Sequence, residues 1–145
     1  MTAGDVVPRH SLRLAVLREA AAAGPWLVAG GVALAIGWRV LAPLLRSLGD
    51  PGEAVVAGDA GYALPAVALG LVTAALLVVR PGRSPVTRFV VVVVLATLSA
   101  VAAWGIGELA GAPPLLARGA LLLWPTVTAL VQLLWTVIQL VTAPE

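Results

Sequence analysis

Four stretches of this chain are long and apolar enough to cross a lipid bilayer, and they limit the fold more than any other feature. An α-helix rises about 1.5 Å per residue, so a hydrocarbon core of ~30 Å takes about 20 apolar residues. Runs of this kind cover residues 25–45, 62–79, 89–107 and 119–141. The valines at 90–94 have the β-branched look of a buried strand, but they continue into LATLSAVAAW without a turn signal, so length favours a helix. Outer-membrane strands alternate apolar and polar residues over about 10 positions, and these runs do not. Composition agrees: 61% of the residues are hydrophobic and 11% charged, against roughly 25% charged in a soluble domain. The expected fold is an all-α integral membrane four-helix bundle. Residues 1–24 form a cytoplasmic N-terminal segment holding a short helix over 9–23, residues 25–142 form the bundle, and 143–145 form a tail.

The basic residues set the expected orientation, because cytoplasmic loops are enriched in Lys and Arg. All nine basic residues are arginine. Arg9, Arg13 and Arg18 precede the first run, and Arg80, Arg83 and Arg88 lie between the second and third. Only Arg46 and Arg118 fall in the other two connections, and Asp50, Glu53, Asp59 and Glu108 are at that end too. Both termini are therefore expected in the cytoplasm, with the chain multi-pass in a bacterial inner membrane. Trp38, Tyr62, Trp104 and Trp124 come near the outer ends of their runs, as an interfacial aromatic belt would. Trp26 and Phe89 fall at inner ends, and the deeper Trp135 is expected between helices. The segment Ala33-Leu34-Ala35 has the small-x-small form of a signal cleavage site, but the apolar run continues to Leu45, which favours an uncleaved anchor.

One charge interrupts the first run, in GWRVLAPLL. Arg39 lies 14 residues beyond Pro25, about 21 Å along the helix and roughly two-thirds of the way across the core. An arginine at the bilayer centre costs roughly 2.5–3.5 kcal/mol on insertion scales. Asp59, Glu108 and Arg118 lie at the same end, and Arg39 either joins them in an outer charged cluster or snorkels alone to lipid phosphates.

Lipid tails are as apolar as leucine, so helices associate through close packing of small residues and interhelical hydrogen bonds. Rows at four-residue spacing are Ala29, Ala33 and Gly37; Ala66, Gly70 and Ala74; and Ser99, Ala103, Gly107 and Gly111. The fourth run has no such row. It carries Pro125, expected to kink it, and Thr126, Thr128, Gln132, Thr136 and Gln139, whose polar groups are expected to bond across helices or to a partner protein. Gln132, Thr136 and Gln139 share one face, which should point at protein unless the threonine hydroxyls bond back to their own helix.

The elements GWRVLAP, Glu53, GDAGY, Gly70, RPGR and WGIGELAG resemble an uncharacterised family of four-span actinobacterial membrane proteins, a domain of unknown function. The resemblance covers about residues 27–142. It implies an inner-membrane location and four helices, supplies no activity or ligand, and draws attention to Trp38, Pro43, Glu53, Asp59 and Gly107.

No reaction centre is visible. The chain has no cysteine, a single histidine (His10), no phosphate-binding glycine loop and no H-E-x-x-H. No cofactor or metal is expected. The pI near 10.5 accompanies a net charge of only +2, and the arginines are scattered, so nucleic acid is not an expected partner. The expected partners are the bilayer and other membrane subunits or further copies of the chain. The function expected by elimination is a structural or accessory subunit, not an enzyme. The alternative is a small oligomeric transporter or channel with Arg39 and Glu108 lining an outer-leaflet cavity.

The orientation has a direct test, since the chain lacks native cysteines. Single cysteines at Gly52 and Gly82 should react with a membrane-impermeant maleimide from opposite faces. Reaction from the same face would refute the orientation.

Overall fold

The computed structural model describes residues 9–49, 54–80 and 84–142. Four helices carry the fold: α1 (Arg9–Leu48), α2 (Ala54–Val79), α3 (Pro85–Leu109) and α4 (Leu123–Thr142), with a 3-10 segment at Arg118–Leu122 leading into α4. Four helical stretches are long and apolar enough to span a membrane. Asp50, Glu53 and Arg83 lie outside the described residues, as does the tail at 143–145.

The N-terminal segment is not a separate helix. α1 runs unbroken for 40 residues through Pro25 and Pro43, about 60 Å at the standard rise. A proline removes a single backbone donor and its i−4 partner bond. The alanines at 20–23, strong helix formers, hold the turn before Pro25. α2 begins before the apolar run expected from 62, so Asp59 lies inside the helix and not in a loop.

α1 is the central element, packed on both α2 and α3, while α4 packs on α2 and more lightly on α3. Close approaches give the directions. Gly37 meets Pro65 and Gly61 meets Ala42, so α1 and α2 are antiparallel. Gly31 meets Ser99 and Gly107 meets Trp38, so α1 and α3 are parallel. Thr128 reaches the Gly70 carbonyl and Gln132 the Ala74 carbonyl, so α2 and α4 are parallel.

The core is made of alanines threaded by three aromatics. Ala42, Ala66, Ala96 and Ala100 are fully enclosed, as are Trp38, Tyr62 and Trp124. These three rings are therefore core residues and not an interfacial belt. Trp38 donates its indole N–H to the Gly58 carbonyl at 3.1 Å, joining α1 to α2. Its ring meets Tyr62 edge-on, with centroids 5.4 Å apart, and the Tyr62 hydroxyl donates to the Ala100 carbonyl of α3 at 3.1 Å. Trp124 donates to the Thr73 hydroxyl at 3.0 Å, joining α4 to α2, while its ring reaches across to Gly30 of α1. Trp135, expected between helices, is 42% exposed.

The small-residue rows are used selectively. Ala66, Gly70, Ala74, Ala103 and Gly107 are buried, and Ser99 is half-buried. Ala29 and Ala33 are exposed, and Gly37 is half-buried. The packed face of α1 carries instead Ala23, Leu27, Gly30, Gly31, Leu34, Trp38 and Ala42, because the enclosed Trp38 fixes how the helix is turned. Gly111 is not a packing residue either. It lies past the end of α3 with φ of +81°. The Ala112 N–H donates to the Gly107 carbonyl and the Gly111 N–H to the Glu108 carbonyl, the six-to-one and five-to-two bonds of a Schellman stop. Pro125 falls in the first turn of α4 and not in its interior, and there a proline removes no i→i−4 bond of the helix.

At Gly61 an added methyl would lie 2.7 Å from the Ala42 Cα, while at Gly105 it meets nothing within 4 Å. Gly61→Ala should therefore lower stability by about 1–3 kcal/mol through forced separation of α1 and α2. Gly105→Ala should be neutral or slightly stabilising, since Ala exceeds Gly in helix propensity. Thermal unfolding in mild detergent checks the contrast, and equal effects at the two sites would contradict the α1–α2 contact.

Candidate functional site

The charged residues gather at the two ends of the bundle. One end holds the close of α1, the start of α2, the close of α3 and the connection to α4. Arg39, Arg46, Asp59, Glu108 and Arg118 all lie there. Among the described residues these five form no ion pair with one another, because the sole salt bridge lies at the opposite end.

Each acid is answered locally. Asp59 accepts from the Leu116 N–H at 3.0 Å and the Ala117 N–H at 3.1 Å. Ala117 is the N-cap position of the 3-10 segment, so Asp59 holds from α2 the two amides that lead into that segment, one step ahead of the first-turn amides that a capping side chain takes. Helix–start amides carry partial positive charge and favour an anion there. Glu108 accepts from the Trp104 indole N–H at 2.9 Å, one turn earlier on the same helix. The connection after α3 thus has a defined course: the Schellman stop turns it, Pro113 and Pro114 pack near Gly58, and Asp59 holds its far end.

The arginines are placed differently. Arg39 and Arg118 are exposed. The Arg39 Nη1 lies 3.2 Å from where a Cβ of Gly111 would be, against the C-terminal turn of α3. The last carbonyls of a helix carry partial negative charge, so this is a favourable position for a cation. Arg46 reaches toward Gly58, with Nη2 3.8 Å from the corresponding point. Arg39, Arg46, Pro43, Gly111 and Pro113 together line one open crevice.

At the other end, Arg88 of α3 approaches Glu19 of α1, with Nε 3.8 Å from Oε2, and donates through Nη1 to the Arg80 carbonyl at the close of α2. This knot was not among the expected charge contacts. Its available signal was Glu19, an acid among the basic residues before the first run. Ser84 precedes Pro85, the first residue of α3, and its hydroxyl donates to the Thr87 hydroxyl at 2.8 Å.

The polar face expected on α4 is divided. Gln132 turns inward and donates to the Ala74 carbonyl at 2.9 Å. Thr136 bonds back to the Gln132 carbonyl within its own helix at 2.9 Å, and Gln139 is exposed. Thr128, one of the polar groups of the fourth run expected to bond across helices, is fully buried, and its hydroxyl is shared between the Gly70 carbonyl of α2 and the Trp124 carbonyl of its own helix.

Searches of family models, curated proteins and solved structures return no match to this chain.

Removing the Asp59 carboxylate hands two exposed backbone donors to solvent. Asp59→Ala should lower stability by about 0.5–1.5 kcal/mol, the net range for an ordinary hydrogen bond, and Asp59→Asn by less. Hydrogen exchange gives a local readout: the amides of Leu116 and Ala117 should exchange faster in the alanine variant. Unchanged protection there would exclude the attachment.

Proposed function

We propose that this chain is a small structural or accessory subunit of a membrane assembly, built with other membrane proteins or with further copies of itself. The observation that carries the reading is the second half of α4. Every residue from 133 to 142 is exposed, including Trp135, Thr136 and Gln139. Helix pairing in lipid draws on interhelical hydrogen bonds and close packing, and this half-helix carries polar groups while its own bundle leaves every one of its residues exposed. α1 adds a second free surface. Its first turns expose Leu12, Leu14 and Leu17, and its outward side carries Ala29 and Ala33, small residues four apart that the bundle does not use.

The proposed setting is a bacterial inner membrane with both termini in the cytoplasm, consistent with the four-span family that the sequence resembles. In support, Arg13, Arg18, Arg80 and Arg88 share one end of the bundle, as the cytoplasmic bias of basic residues requires. The enclosed Trp38, Tyr62 and Trp124 are core residues, which leaves Trp104, half-buried near the end of α3, as the one aromatic of the expected outer belt that is not enclosed. A transport pathway would have to run between chains, because these three rings and the surrounding alanines fill the middle of the bundle.

Purification of the full chain in mild detergent, followed by mass spectrometry, should recover a stoichiometric partner or a homo-oligomer. Thr136→Val combined with Gln139→Leu should reduce that recovery several-fold while leaving the helix content unchanged. A monodisperse monomer with no companion would overturn the proposal.

A further inference from the structure

We propose that the crevice formed by Arg39 and Arg46 holds the phosphate of a membrane phospholipid from the leaflet at that end of the bundle. The two arginines are seven residues apart on α1, two helical turns and about 10 Å of rise, so they project from nearly the same face. Both line one crevice with Pro43, Gly111 and Pro113. No carboxylate among the described residues neutralises either one. The described acids at this end are committed elsewhere: Asp59 to the Leu116 and Ala117 amides and Glu108 to Trp104.

Two guanidinium groups without an acid make an anion site, and arginine's fork of donors matches the geometry of phosphate oxygens. The surroundings point to a lipid phosphate in preference to a soluble one. Val28, Val32 and Ile36, deeper along α1 than Arg39 and near its face, are exposed and offer an apolar bed for acyl chains. Arg39 interrupts the apolar run, and Arg46 stands about 10 Å nearer the headgroups. A phosphodiester between them answers both charges while the tails cover the apolar residues below. The proposal does not depend on the subunit reading, because a monomer presents the same crevice.

The test uses the full chain in mild detergent with phosphatidylglycerol, a phosphate-free galactosyl diacylglycerol, or inorganic phosphate added, and native mass spectrometry to count what is retained. Wild type should retain phosphatidylglycerol and not the galactolipid. Arg39→Gln combined with Arg46→Gln should lower retention on the order of thirtyfold, from the loss of two surface-arginine attractions. Arg118→Gln, which removes an exposed arginine outside the crevice, should change nothing. Circular dichroism checks that the variants fold. Should the double variant not fold, Arg46→Gln alone, an exposed position, should still lower retention by about fivefold. Equal retention of the two lipids, or undiminished retention in the glutamine variants, overturns the proposal. Displacement of the lipid by inorganic phosphate would assign the crevice to a soluble anion and overturns it equally.

Discussion

A hydrogen-bond donor in hydrocarbon has no water to turn to, and this requirement organises the bundle. Trp38, Tyr62 and Trp124 are enclosed, and each carries a donor that is costly to leave unpaired. Each finds its acceptor on a neighbouring helix: Gly58 for Trp38, Ala100 for Tyr62, Thr73 for Trp124. Each such bond contributes little beyond what the unfolded chain in lipid already finds, about 0.6 kcal/mol on average. Their larger effect is on geometry, because a rigid ring with one allowed acceptor fixes rotation and height together. α1, α2 and α3 are locked by the Trp38–Tyr62 pair, and α4 is locked to α2 by Trp124, Thr128 and Gln132.

Glycine makes room for this. The rings of Trp38 and Trp124 lie where side chains at Gly107 and Gly30 would otherwise stand. Large residues on one helix answer missing side chains on the next, and alanine fills the remaining space. No packing gain against lipid is available from apolarity alone, so shape carries what hydrophobic burial carries in water.

Much of the architecture was legible in the sequence. Four long apolar runs give four helices because nothing else satisfies that much backbone in hydrocarbon. Helix rotation was much less legible. Spacing marks Ala29 and Ala33 as readily as Ala66 and Ala74 in a chain so rich in alanine, and only the acceptors for Trp38 and Trp124 decide which rows face inward. Tryptophan near a span's end suits a belt or a core equally, and the difference lies in a partner helix that sequence order does not reveal. The charges at the Asp59 end were legible as neighbours but not as separate attachments. Opposite charges suggest pairing, whereas backbone amides at the start of the 3-10 segment, invisible to residue type, claim Asp59.

The pairing of α4 with α2, two parallel helices separated in the chain by all of α3, bears on how the molecule is made. A nascent chain that has emerged only as far as α3 can already close the clasp of Trp38, Tyr62 and Gly107. The Thr73 hydroxyl and the hollow beside Gly30 still face acyl chains at that stage, because both are filled by Trp124. Completion therefore waits for α4. Until it docks, the open surface along α2 distinguishes the incomplete bundle from the finished one.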